Sequence, residues 1–265
     1  MTTVQIIVLA VVQGLTEFLP ISSSGHLVLV PYLVEWTDQG LAFDVAVHFG
    51  SLLAVVLFFR EDIAGLIRGG MQILGGDVQS PQANMALAIA LGTIPAAAAG
   101  LLFAGWIEQN LRDPSVIVYT LAGSGILLAL ADRYARRDRA ITQLKIRDAL
   151  IIGTAQALAL VPGTSRSRVT ITAGRLLGFE RQDAARFSVL LSAPVILLAT
   201  VYNGGEMVLG DTPVARDELA LGVLVSAIVA YISIEFFMRF VTRIGLAPFA
   251  LYRLALAGVL LYVLA

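Results

Sequence analysis

Residues 17–26 read EFLPISSSGH, an acid, a proline, three serines, a glycine and a histidine inside an otherwise apolar stretch. TTVQIIVLAVVQGL lies before it and LVLVPYLV after it. Pro20 has no N–H to donate and its ring strikes the preceding turn, so a helix running through this segment is expected to stop there. Serines just beyond it favour the start of a new helix. The stretch therefore predicts a helix broken at its middle, and the fold depends on where that break sits.

The composition puts it in a membrane. Of 265 residues 58% are hydrophobic and 14% charged, with a mean hydropathy of +0.84. Soluble domains carry about 25% charged residues, so this chain cannot cover itself with polar groups in water and reads as a polytopic membrane protein. A net charge of −1 offers nothing to nucleic acid. The lack of cysteine excludes disulfides and thiolate metal sites. MTTVQIIVLA lacks the basic start of a signal peptide, so the first apolar segment is expected to be retained.

Eight apolar runs follow one another, at 4–34, 43–59, 83–106, 115–131, 148–178, 186–203, 219–238 and 247–264. Most are near the roughly 17–25 residues of a spanning helix. The first and fifth are longer, and each is interrupted after a proline: SSSGH after Pro20, and GTSRSR after Pro162. Irregular backbone at membrane depth is tolerated only when buried in protein or lining a wet cavity. Both runs are thus expected to be re-entrant pairs of half-helices.

The two broken runs also match each other. Gln13-GLTEFL-Pro20-ISSSG parallels Gln156-ALALV-Pro162-GTSRS, and Phe43-DVAVHFGSLLAVV parallels Phe187-SVLLSAPVILLAT. The predicted fold is all-α, an inverted-topology repeat of 1–131 and 148–265 joined by a basic linker, 132–147. Each half holds one re-entrant pair and three spanning helices, and the odd number of spans turns the second half over. Charge fits this plan. Arg60, Arg68, Arg133, Arg136, Arg137, Arg139, Lys145, Arg147, Arg181, Arg186, Arg239 and Arg243 fall on one side, and only Arg112 and Arg216 on the other. Basic loops stay in the cytoplasm, which places both termini outside.

Ionisable residues at membrane depth are expensive and point to function. Gln13 and Glu17, four apart, share a helix face. Ser22, Ser23 and Ser24 are expected to cap the returning half-helix that carries His26, and Thr164, Ser165 and Ser167 to cap its counterpart beside Arg166. Two facing helix N-termini attract an anion, and an arginine fork suits phosphate. Glu17 and His26 add a metal ligand or base and a nucleophile or proton carrier. This set suits phosphoryl transfer. His48, with only Asp44 at i−4 for company, reads as a packing residue. Arg175 is expected to snorkel to the cytoplasmic interface, Glu235 and Arg239 to form an i,i+4 pair, and PAAAAGLLFAG (95–105) to be close helix packing. Arg168 and Arg253 are open between site and packing.

QGLTEFLPISSSGH and PGTSRSRVT resemble the two signature motifs of the undecaprenyl-diphosphatase family of the bacitracin-resistance type, and the likeness runs along the whole chain. The resemblance implies hydrolysis of a polyprenyl diphosphate lipid, recycling the carrier for cell-wall synthesis, in the bacterial inner membrane at a site open to the outer face. It implies a divalent cation, Mg2+ or Ca2+, held at Gln13 and Glu17, and leaves room for a homodimer. Carried over by motif, Glu17, Ser23, His26 and Arg166 are catalytic, with Ser23 or His26 as nucleophile. Gln13, Ser22, Ser24, Gly163, Ser165, Ser167, Thr170 and Arg253 contact substrate. Gln13 stands where the family pattern also allows an acid, and an amide is a weaker ligand for a hard cation. Arg168 occupies a position that is often small in the family. The rival reading is a polyprenyl-phosphate transporter of the same fold, since fold alone does not decide function.

Overall fold

The computed structural model describes residues 1–111, 114–209 and 216–264; Arg112 of the charge pattern lies outside them. The described residues are almost wholly helical, with a single isolated bridge between Arg139 and Phe179 and no strand among them. The helices are α1 (Thr3–Thr16), α2 (Ser23–Leu33), α3 (Gly40–Phe58), α4 (Arg60–Leu74), α5 (Pro81–Asn110), α6 (Pro114–Tyr134), α7 (Ile146–Ala157), α8 (Arg166–Leu176), α9 (Arg181–Leu209), α10 (Arg216–Ile244) and α11 (Ala247–Leu264). Five of them, α3, α5, α6, α9 and α10, are long and apolar enough to cross a membrane, and α1 and α11 are shorter apolar helices. The chain is an all-α, multi-pass membrane protein.

Both long apolar runs break where their prolines and serines foretell. The first is split into α1 and α2 by residues 17–22, and the fifth into α7 and α8 by a 3-10 turn (Leu158–Leu160) and the loop 161–165. The caps differ from expectation. Ser22 and Ser165 stand at the N-cap positions of α2 and α8, but neither side chain accepts from a first-turn backbone N–H; Ser165 Oγ meets Ser167 Oγ at 3.3 Å instead. Their φ angles of 81° and 68° lie in the left-handed region, whereas a capping serine keeps an extended backbone that aims its oxygen at the first-turn N–H groups. The first-turn amides of both half-helices are therefore left without a side-chain cap.

One element was not foreseen. REDIAGLIRGGMQIL forms α4, a mixed helix that does not read as an apolar run; it lies against α5, where Gly69 meets Gln82 and Ala83, and Asp62 pairs with Arg186 of α9.

The helices of the two halves interleave. α1 packs on α10, α7 packs on α5, α3 lies against both α9 and α10, and α6 pairs with α11. Glycines allow the closest crossings: a Cβ on Gly14 would sit 2.8 Å from the α10 backbone at Ala230, and one on Gly153 of α7 would fall on the backbone of Gly92 in α5. The largest buried cluster, including Ala54, Val55, Leu190, Ala230, Ile234 and Phe237, holds α3, α9 and α10 together behind the loops. The small-residue run 95–105 packs only at its start, where Ala96 is buried; Leu101, Leu102 and Phe103 are exposed, and a Cβ on Gly105 would meet nothing within 4 Å.

Arg175 does not snorkel. It is fully buried, 3.6 Å from Asp132, and donates to the carbonyls of Phe179 and Arg136. Asp132 also accepts two bonds from Arg181, at 2.6 and 2.8 Å. Arg139 pairs with Asp148 at 2.5 Å and lies over the Phe179 ring. The basic linker is thereby tied to α6, α7 and the α8–α9 turn. Glu235 and Arg239 are both exposed and form no ion pair among the described residues; Arg239 lies over Phe240 instead.

Candidate active site

The two broken segments meet. Glu17 receives the Arg166 guanidinium on Oε1, and on Oε2 it accepts from Gln13 Nε2 at 3.0 Å and Ser23 Oγ at 2.6 Å. Ser167 Oγ crosses in the other direction to the Leu19 carbonyl at 3.1 Å. Arg166 is braced from behind, donating through Nη1 to the Ser192 carbonyl of α9 at 3.1 Å. Taking two ionised groups out of water is expensive unless they are paired; here Glu17 has both oxygens engaged, and Arg166 pairs with it while keeping further N–H groups for a ligand.

A cavity of about 400 Å³ opens beside this pair. Its wall includes Glu17, Ser22, Ser23, Ser165 and Arg166 from the broken segments, Asp44 and His48 from α3, Gln156 from α7, and Thr200 and Asn203 from α9, with apolar side chains such as Leu160 and Ile196 between them. The uncapped first turns of α2 and α8 begin at Ser23 and Arg166, so two helix N-termini start at the cavity wall.

Other expected residues support this wall from behind. The Gly163 carbonyl accepts from Arg253 Nη2 at 2.6 Å, and Gly163 itself takes a φ of 79°. Arg253 also reaches Ser124 Oγ, and Arg168 binds the Thr164 and Ser124 carbonyls. Both arginines thus pin the 162–165 loop to α6 and stand off the cavity. Thr170 bonds Ser188 Oγ at 2.6 Å and the carbonyls of Arg166 and Ser167, which holds the first turn of α8 against α9. The Ser24 side chain lies outside what the structure describes.

His26 faces away. Its Nδ1 is 2.6 Å from the Ser22 carbonyl, which can only accept, so Nδ1 carries the proton and Nε2 accepts from the Tyr252 hydroxyl at 2.6 Å. Both ring nitrogens are engaged, the ring stacks on Tyr252, and it is not part of the cavity wall. The imidazole at the cavity belongs to His48, with Nδ1 bonded to the Asp44 carbonyl and Nε2 3.6 Å from Glu17 Oε2. Its i−4 spacing from Asp44 was visible in the sequence, but its distance from both motifs hid its place.

The cation site expected at Gln13 and Glu17 does not fit this arrangement. Gln13 is buried off the cavity and turns its amide N–H, not its oxygen, to Glu17, while both Glu17 oxygens already accept from protein donors. Among the described residues no three His, Cys, Asp or Glu side chains gather into a possible metal site.

A family model described as bacitracin resistance protein BacA matches residues 6–259. The chain belongs to that family. Among its relatives is a protein of Stutzerimonas stutzeri named undecaprenyl-diphosphatase 2, 52% identical over 264 residues that cover 98% of each chain. A Hahella chejuensis protein named undecaprenyl-diphosphatase is 51% identical over 263 residues, 99% of this chain and 98% of its own. One of Nitrosococcus oceani with that name is 48% identical over 262 residues, 99% of each.

Proposed function

We propose that this chain is an integral-membrane phosphatase that hydrolyses undecaprenyl diphosphate to undecaprenyl phosphate and inorganic phosphate, returning a lipid carrier to cell-wall synthesis in a bacterial inner membrane. The observation that carries the reading is the Ser23–Glu17–Arg166 chain at one cavity: a hydroxyl donating to a carboxylate that is itself held by a guanidinium. The names of relatives about half identical over the full chain support it.

In this reading the terminal phosphoryl group enters between Arg166 and the uncapped first turns of α2 and α8. Ser23 Oγ attacks phosphorus as Glu17 takes its proton. The bond from phosphorus to the bridging oxygen breaks, and its electron pair leaves on the lipid monophosphate. Glu17 gives up the serine proton to the departing lipid monophosphate. It then takes a proton from the water that attacks the phosphoserine and returns it to Ser23 Oγ as the bond from phosphorus to Oγ breaks and inorganic phosphate departs. Arg166 offsets charge throughout, which is where most of the rate of phosphoryl transfer comes from. Ser23 is preferred to His26 because the histidine has no free ring nitrogen and does not face the cavity.

The inverted repeat belongs to the same proposal. Exchanging the halves turns the α1–α10 contact into α7–α5 and α3–α10 into α9–α5, and all four pairs are present. With the basic linker in the cytoplasm, the cavity opens to the outer face. A transporter would use the same anion site, but it has no need of a hydroxyl bonded to a base. Purified protein in detergent, with no membrane to cross, is expected to release phosphate from undecaprenyl diphosphate. Binding without release would return the reading to transport.

A further inference from the structure

Buried polar atoms are nearly always paired, so those that are not ask what they are for. Among the described residues, three side chains on the cavity wall carry such atoms: Ser22 at Oγ, Gln156 at both Oε1 and Nε2, and Thr200 at Oγ1. Ser22 and Gln156 are each only 2% exposed. Gln156 is the sharpest case. A buried primary amide with neither half satisfied weakens the fold, and leucine would fill the same space without that penalty.

The repeat explains how the amide becomes free. Gln156 stands in register with Gln13, and Gln13 spends its N–H on Glu17, four residues on. Four residues after Gln156 comes Leu160, which offers no acceptor and lines the cavity itself. The second half keeps the amide and drops its partner, leaving two N–H donors and a carbonyl at the wall of a cavity shared with Arg166.

We propose that Gln156, with Ser22 and Thr200 on the wall of the same cavity, is a second phosphate subsite, which takes the lipid-linked phosphate of the substrate while Arg166 and Ser23 take the terminal one. The inference rests on the hydrolase reading. The division follows charge. The terminal phosphoryl group bears more negative charge and is where charge moves during transfer, so it belongs with the guanidinium. The lipid-linked phosphate is held by an ester bond on one side and the anhydride on the other, carries one charge and does not gain a new bond, and it suits neutral donors. The apolar wall around Leu160 and Ile196 then meets the start of the hydrocarbon chain.

Gln156→Leu in purified protein tests this, because removing an unpaired amide should leave the thermal midpoint unchanged or higher. Hydrogen bonds to a charged group predict that KM for undecaprenyl diphosphate rises about tenfold or more, with little change in kcat. Inhibition by polyprenyl monophosphate should weaken by the same factor, while inhibition by inorganic phosphate stays at the parent value. Thr200→Val should shift KM and monophosphate inhibition in the same direction by about threefold. Unchanged KM and unchanged monophosphate inhibition in both variants overturn the subsite. So does a loss shared by inorganic phosphate, which would put Gln156 at the terminal group. Failure of the hydrolase reading itself is seen earlier, as no phosphate release by the parent protein.

Discussion

Glu17 is the residue on which the two broken segments depend, since its carboxylate is where Arg166, Ser23 and Gln13 converge. Glu17→Gln keeps the shape but presents an N–H2 to groups that are themselves donors. It should lower kcat by about 10²–10⁴-fold, the usual worth of a positioned general base. Arg166→Lys keeps the charge but cannot reach Glu17 and the Ser192 carbonyl together, and a loss of about 10²–10³-fold in kcat is expected. Ser23→Ala should fall as far as Glu17→Gln and trap no phosphoenzyme on acid quench, whereas His26→Gln, off the cavity, should keep most of the parent rate. A folded His26→Gln as dead as Ser23→Ala would make the histidine the nucleophile instead. The acid, serine and arginine were legible because two polar motifs stood out in apolar sequence. Which way His26 turned was not, since that depends on Tyr252, 226 residues away.

At the level of the helices, the breaks were legible and the tight contacts were not. Proline followed by serine and glycine marks where a helix must stop, and both breaks fall there. Close packing needs a small residue placed where two helices cross, which a run such as PAAAAGLLFAG does not reveal. The tightest crossing is Gly92 with Gly153, where α7 lies on α5 and carries Gln156 toward the cavity. Gly153→Ala forces the backbones apart and should cost about 1–3 kcal/mol, read as a lower thermal midpoint in detergent. Gly123→Ala in α6, where a Cβ would meet nothing within 4 Å, should be neutral or slightly stabilising, by up to about 1 kcal/mol, because alanine is the better helix former. Equal midpoints for the two variants would mean that this crossing is loose. α4 escaped notice for a different reason: its polar and apolar residues alternate on a surface helix, and no apolar run marks it.

For the molecule as a whole, the sequence offered charge asymmetry and a repeat, and the proposed exchange of halves would relate the α1–α10 pair to the α7–α5 pair. Glu17 to Arg166 and Ser167 to Leu19 join the two loops at the centre, so neither half forms the site alone. The orientation of that centre can be tested directly, because the chain has no cysteine. Thr37, between α2 and α3, and Arg216, at the start of α10, are exposed at the ends expected outside. Gln79, before α5, and Arg136, in the linker, are exposed at the ends expected in the cytoplasm. In intact cells, single cysteines at Thr37 and Arg216 should react with an impermeant thiol reagent, and those at Gln79 and Arg136 only after the membrane is opened. If α1 and α2 crossed the membrane as one span, the α2–α3 turn and the N-terminus would lie on opposite sides, and Thr37 would be protected whenever a tag on Met1 is accessible. Labelling at Arg136 from outside would reverse the whole orientation and open the cavity to the cytoplasm, against the proposed outward-facing site.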